Sequence, residues 1–179
     1  MSKIGKKPIQ IPKGVDVKID GGLILVKGPK GELKMTLNDA VSVSVKEDNV
    51  YVNLKDNQDK FEVWGLTRAL IANMIKGVTN SFEKNLEFEG VGYKANVKGT
   101  ELELNLGYSH PISVKIPDGV SVKVEKNIIK IEGMDKELIG HFAAEIKSKR
   151  LPEPYKGSGI KYVGEVIRRK AGKKAATAA

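Results

Sequence analysis

Hydrophobic and polar positions change period along the chain, and the change happens in the same order twice. Residues 15–19 and 23–27 flank Asp20-Gly21-Gly22, a hairpin signal, and Gly28-Pro29-Lys30-Gly31 turns the chain again into 32–37. V-S-V-S-V-K from Val41 alternates strictly, turns at Glu47-Asp48-Asn49 and returns over residues 50–54. These runs predict short antiparallel strands with one buried face. From Asp59 to about Val78 the spacing becomes helical, with Phe61, Trp64, Ile71, Ile75 and Val78 on one side and Gly77 near the end. The stretch predicts a helix of about five turns whose apolar face covers the sheet.

Strands resume at Leu86 in a run to Val97, where Gly90 and Gly92 suggest a bulge or a close backbone approach. Residues 101–106, 112–116, 120–125 and 128–132 follow as further strands between turn signals. Asp135 is placed to N-cap a second helix with Leu138, Phe142 and Ile146 on one face, ending before Leu151-Pro152. Residues 160–166 alternate as one more strand. The pattern predicts an α+β fold of two tandem domains, residues 1–82 and 83–179, joined by a short ordered connection near 81–85. V-S-V-S-V-K-E-D-N-V-Y-V at Val41 resembles V-S-V-K-V-E-K-N-I-I-K-I at Val120, which points to an internal duplication. A second echo, at Ile11 and Ile116, runs in a different register.

The chain has 179 residues, 40% of them hydrophobic and 30% charged, enough to bury a core. It has no cysteine, which excludes disulfides, thiol catalysis and cysteine zinc sites. No apolar run approaches the roughly 20 residues of a membrane helix, and the N-terminus lacks a signal-like apolar region. A cytoplasmic protein with no membrane contact is expected. The net charge of +9 points to a polyanionic partner. Its distribution is uneven: residues 15–146 carry 17 Lys or Arg against 20 Asp or Glu, whereas residues 1–14 hold four lysines and no acid. Residues 147–174 hold ten Lys or Arg against only Glu153 and Glu165, and three of the four arginines.

Catalytic signals are missing. Gly28-Pro29-Lys30-Gly31 has the GXXG form of a KH loop but lies between strands, where a tight turn explains it. Gly90-Val91-Gly92 completes neither a Walker nor a dinucleotide-binding motif, and no stretch fits the RNP1 pattern. His110 and His141 stand 31 positions apart without an evident ligand set, and Trp64 falls in a helical core stripe. No enzyme, cofactor, metal or small-molecule substrate is expected.

The basic stretch has three parts. Lys147, Lys149 and Arg150 close the second helix, where cations also suit the helix dipole. Residues 152–159 have two prolines to stiffen a loop and two glycines to bring backbone N–H groups near a partner, with Tyr155 and Lys156 between them. Residues 168–174 form a basic tail, either a solubilising end or an arm on nucleic acid. The adjoining loop favours nucleic acid.

P-E-P-Y-K-G-S-G-I-K-Y from Pro152 resembles the C-terminal signature of the sixth large-subunit ribosomal protein family of bacteria. G-L-T-R-A-L-I-A-N-M-I-K-G-V from Gly65, E-G-V-G-Y-K-A from Glu89, L-G-Y-S-H-P from Leu106 and the opening from Ser2 resemble it too, in the same order. One departure is Ser158, where the family usually has lysine between the glycines; a hydroxyl can still donate a hydrogen bond. The resemblance implies two duplicated α+β domains and a structural, non-enzymatic protein. It also implies binding to large-subunit ribosomal RNA chiefly through the C-terminal half, near the stalk base and the sarcin–ricin region, with neighbouring ribosomal proteins and docking translation factors as partners. Carried onto matching positions, Pro152, Tyr155, Lys156, Gly157, Gly159 and Lys161 become candidate RNA contacts. Charge adds Lys149, Arg150, Arg168, Arg169, Lys170, Lys173 and Lys174. The alternative is a free-standing, sequence-neutral nucleic-acid binder or RNA chaperone.

Overall fold

In the computed structural model, which describes residues 3–55 and 60–172, alternation in the sequence becomes antiparallel pairing. The first strands are β1 (Ile9–Gln10), β2 (Asp16–Asp20), β3 (Leu23–Gly28), β4 (Gly31–Thr36), β5 (Val41–Lys46) and β6 (Asn49–Leu54). Helix α1 (Phe61–Asn80) follows. Strands β7 (Phe82–Glu89), β8 (Lys94–Lys98), β9 (Glu101–Asn105), β10 (Ile112–Lys115), β11 (Val120–Glu125) and β12 (Ile128–Gly133) come next, then α2 (Lys136–Lys149) and β13 (Gly159–Tyr162). The chain divides into two compact units. One comprises the chain up to Phe82 with Gly133–Lys136; the other comprises Glu83–Glu132 and the chain from Glu137 onward.

Both units follow one plan. A three-stranded sheet β2-β3-β4 in the first has its counterpart in β8-β9-β10 in the second. The order β1-β6-β5 recurs as β7-β12-β11 within the four-stranded sheet β11-β12-β7-β13. The hairpins β5–β6 and β11–β12 even share a left-handed residue at the same turn position, Glu47 (φ 52°) and Lys126 (φ 54°). The echo from Val41 and Val120 thus falls on equivalent hairpins. The echo at Ile11 and Ile116 does not, since Ile11 precedes β2 and Ile116 precedes β11. Among the described residues, β13 alone has no counterpart in the first unit.

Packing corrects several expectations. Phe61 is 38% exposed, so α1 contributes Trp64, Ile71, Ile75 and Val78 to the core of its unit without it. Asp59 lies outside the described residues. The basic arm is partly built into the first unit: Ile9 is buried, and a Cβ on Gly5 would fall 2.5 Å from the Trp64 ring. Ile11 donates to the Asp48 carbonyl (2.8 Å), so alternate positions Pro8, Gln10 and Pro12 turn their nitrogens to the open side. Two of these three have no N–H to offer, and Arg68 donates to the carbonyls of Lys7 and Pro8 (3.3 and 3.4 Å). Only Ser81 separates α1 from β7. Gly90 and Gly92 do not bulge one strand; they lie in the crossing between β7 and β8, which belong to different sheets. In α2, Ile139 is fully packed and Leu138 only half-buried, because the core stripe runs through Ile139, Phe142, Ala143 and Ile146.

Candidate nucleic-acid interface

The basic stretch is less free than its sequence suggests, because register and loop closure engage several of its groups. β13 pairs with β7 so that Lys161 stands opposite Glu87, and its ammonium lies 3.7 Å from Glu87 and 3.4 Å from Glu89. Lys147 donates to both carboxylate oxygens of Glu165 at 2.7 Å and sits 4.8 Å from the Tyr162 ring centre. Lys149 is paired with Glu145 at 3.0 Å. Arg150 stacks over the Tyr108 ring at 4.8 Å. Of the sequence-predicted contacts, Lys161 and Lys149 therefore already have carboxylate partners inside the fold.

Glu165 explains how the edge of β13 is finished. Val163 donates to Asn85 of β7 (3.0 Å), so Ile160 and Tyr162 turn their N–H groups outward. Ile160 donates to the Arg150 carbonyl (2.9 Å) and Tyr162 to the Glu165 carboxylate (3.0 Å). No outward N–H of this strand is left for another chain. The Lys147 hydrogen bond first, and the Tyr162 N–H second, hold the Glu165 carboxyl below its ordinary pKa. Residues 160–166 do not continue as a strand. β13 stops at Tyr162, Gly164 turns at φ 84°, and Val166 is 93% exposed.

The loop between α2 and β13 closes on itself. Glu153 N–H donates to the Ser158 carbonyl and Gly157 N–H to the Glu153 carbonyl, both at 2.9 Å. The Ser158 hydroxyl donates to the Glu153 carboxylate (3.2 Å). The two glycines serve this closure and do not offer free N–H groups as the sequence suggests: both are buried, and Gly157 donates within the loop. Gly159 has φ +146°, and a Cβ there would lie 2.6 Å from the Pro152 Cα. Pro152 is half-buried against it, whereas Tyr155 (55% exposed) and Lys156 project from the tip.

The segment after β13 is fastened to this loop. Lys170 N–H donates to the Pro154 carbonyl (2.8 Å), and the Arg169 guanidinium covers Gly157, 3.0 Å from where a Cβ would be. That contact needs a glycine at φ +78°. Lys156, Arg168, Arg169 and Lys170 are exposed and, among the described residues, pair with no carboxylate. Lys173 and Lys174 lie outside the described residues. The loop tip, with its aromatic ring, and three consecutive cations thus belong to one assembled surface, in a stretch whose acids are already engaged. No group of three or more His, Asp or Glu side chains converges as a metal site among the described residues.

The chain matches the family described as Ribosomal protein L6 over residues 11–81 and again over 89–163, one segment in each half of the duplicated plan. Among curated relatives, the large ribosomal subunit protein uL6 of Persephonella marina is 55% identical over 176 residues, covering 97% of this chain and 98% of its own. That of Nitratiruptor sp. is 56% identical over 179 residues (98% and 99%). That of Prochlorococcus marinus is 52% identical over 179 residues (99% and 100%).

Proposed function

The chain belongs to the ribosomal protein L6 family and is a structural, non-enzymatic constituent of the large ribosomal subunit; we propose that it holds large-subunit ribosomal RNA through the loop 152–158 and residues 168–170. The observation that carries this reading is the fastening of Arg169 and Lys170 onto the loop beside Lys156, all without acidic partners. Backbone closure fixes the chain that carries these cations before RNA arrives, so little backbone ordering entropy is lost on binding. Cations meeting phosphates displace condensed counterions, which gives affinity and little sequence information. Lys161 and Lys149 keep the loop base in place and contribute less to the RNA contact. By resemblance, the docking place is near the stalk base and the sarcin–ricin region, where translation factors arrive.

Crosslinking of the protein within purified large subunits, mapped to residues, tests the assignment; crosslinks confined to the first unit would overturn it. In filter binding to ribosomal RNA, four phosphate-facing cations contribute roughly 3 to 4 to the slope of log K against log salt. Lys156→Gln with Arg169→Gln should flatten the slope by about 1.5. An unchanged slope, or equal affinity for duplex DNA, defeats the proposal.

A further inference from the structure

Beside the cationic loop lies a cluster that phosphate neutralisation does not use. Tyr93 and Tyr108 come from two glycine-bordered loops, 90–93 and 107–111, that meet at Arg150. The Tyr93 ring lies flat against Gly90, where a Cβ would fall 2.6 Å from its Cζ, and its other edge abuts Gly107, with a Cβ there 3.3 Å away. The ring therefore requires a glycine at position 90, while Gly107 is favoured by its φ of +75°. Tyr108 donates its hydroxyl to the Lys149 carbonyl (3.1 Å), which sets the ring plane, and Arg150 stacks over that ring. Hydrogen bonding to Tyr108 foremost, with Tyr93 adding to it, holds the guanidinium above its ordinary pKa.

Packing alone does not explain this arrangement. A ring that only fills space is buried, yet Tyr108 is 43% exposed while its orientation is fixed at both the hydroxyl and the ring face. Arg150 has no carboxylate partner among the described residues, so its charge is left for something outside the chain. Val91, between Gly90 and Gly92, is 101% exposed, an apolar side chain standing in solvent beside the rings. The register of Gly159 with Glu89 places this loop next to the base of the cationic loop. A fixed aromatic face, a planar guanidinium and an apolar tip together suit a nucleobase outside a helix, which offers a π-face and hydrogen-bonding edges.

We propose that Tyr93, Tyr108 and Arg150 form a platform that receives an unstacked RNA base, while Lys156 and Arg168–Lys170 hold the adjoining backbone. This rests on the ribosomal RNA reading above and adds to it a preference for an unpaired nucleotide. Tyr108→Leu keeps apolar bulk but removes the stacking face, and Tyr108→Phe keeps the face but removes the tether to Lys149. Binding is measured to in vitro transcribed large-subunit ribosomal RNA and to an uninterrupted RNA duplex. Loss of base stacking should weaken Tyr108→Leu on the ribosomal RNA by about 5- to 150-fold, with an unchanged salt slope and unchanged duplex binding. Tyr108→Phe should lose clearly less than Tyr108→Leu, because the stacking face remains, and Arg150→Lys, which keeps the charge without the fork, should lose affinity only for the ribosomal RNA.

If Tyr108→Leu binds ribosomal RNA like the wild type, or weakens equally on the duplex, the platform is refuted. If Tyr108→Phe loses as much as Tyr108→Leu, the tyrosine acts as a tether and the platform is likewise refuted. A wild type that does not prefer ribosomal RNA over the duplex refutes the ribosomal RNA reading itself, an outcome the variants cannot imitate.

Discussion

Gly159→Ala asks whether the loop proposed to face RNA is held shut by its own backbone. An alanine Cβ would lie 2.6 Å from the Pro152 Cα, 2.7 Å from the Leu151 carbonyl oxygen and 2.8 Å from the Leu151 carbonyl carbon. All three are backbone atoms, so no side chain can swing aside. The φ of +146° adds strain that only glycine avoids. Relief requires residues 151–152 to move away from β13, which breaks the Ile160–Arg150 and Glu153–Ser158 hydrogen bonds. Strain and lost bonds together amount to about 2–4 kcal/mol. Amide hydrogen exchange reads this directly: protection of Ile160 and Glu153 should fall about 30- to 700-fold, following the tenfold change per 1.4 kcal/mol. Ile131, in the centre of the same sheet, should keep its protection. Affinity for ribosomal RNA should fall as well, because Tyr155 and Lys156 lose their fixed position. Wild-type protection at Ile160 in the variant would refute the claim that this loop is preorganised.

Trp64→Phe removes the donor that satisfies the buried Val52 carbonyl at 2.6 Å and leaves space beside Gly5. A loss of about 2–3 kcal/mol should appear as faster exchange in α1, with β12 unaffected. Glu165→Gln keeps an acceptor for the Tyr162 N–H but loses the ion pair with Lys147, costing about 1 kcal/mol at neutral pH in thermal or urea unfolding. The wild-type carboxyl has a lowered folded pKa, so its contribution is complete above the ordinary value of 4.5 and is lost as pH falls through the folded pKa; acid unfolding should be less steep in the variant. Truncation after Val166 should leave both cores and β13 intact, remove the Lys170–Pro154 bond and weaken RNA binding. Undiminished binding would confine the contacts to the loop 152–158 and the groups around it.

Strands were legible where alternation had length to show itself. β5 alternates valine with polar residues and β11 alternates half-buried with exposed positions over six residues, and their hairpins carried the duplication visibly. β1 was not legible, because two residues have no period and the prolines flanking them read as a break. Those prolines are there because the strand is an edge. The overlong reading of residues 160–166 has the opposite cause: Val166 keeps the alternation of Ile160 and Tyr162 although the chain has already turned at Gly164 into solvent. In the candidate site, charge was legible and its neutralisation was not. Lys161 meets Glu87 and Glu89 only through the register of β13 on β7, and no local pattern encodes a partner more than 70 positions away. Arg150 and Tyr108 present the same difficulty. The loose hint was the placing of glycines beside Tyr93 and Tyr108.

The duplication also indicates why the proposed RNA surface falls in the second half. Both units place an outer strand, β1 or β7, beside the second strand of the hairpin that leads into the helix, and both must deal with the exposed edge this creates. In the first unit Pro8 and Pro12 remove two of the three outward donors and Arg68 occupies two carbonyls, so most of the edge is closed by chemistry already within the fold. In the second unit β7 instead accepts β13, and the outward edge of β13 is closed by the Arg150 carbonyl and Glu165. Adding a strand after α2 requires a return loop, and the chain leaving the strand must pass that loop again. Pro154 then receives Lys170, and Gly157 receives Arg169. The same C-terminal addition that closes the sheet edge therefore brings an aromatic tip and unpaired cations onto one rigid support, which the otherwise similar first unit has no strand to build.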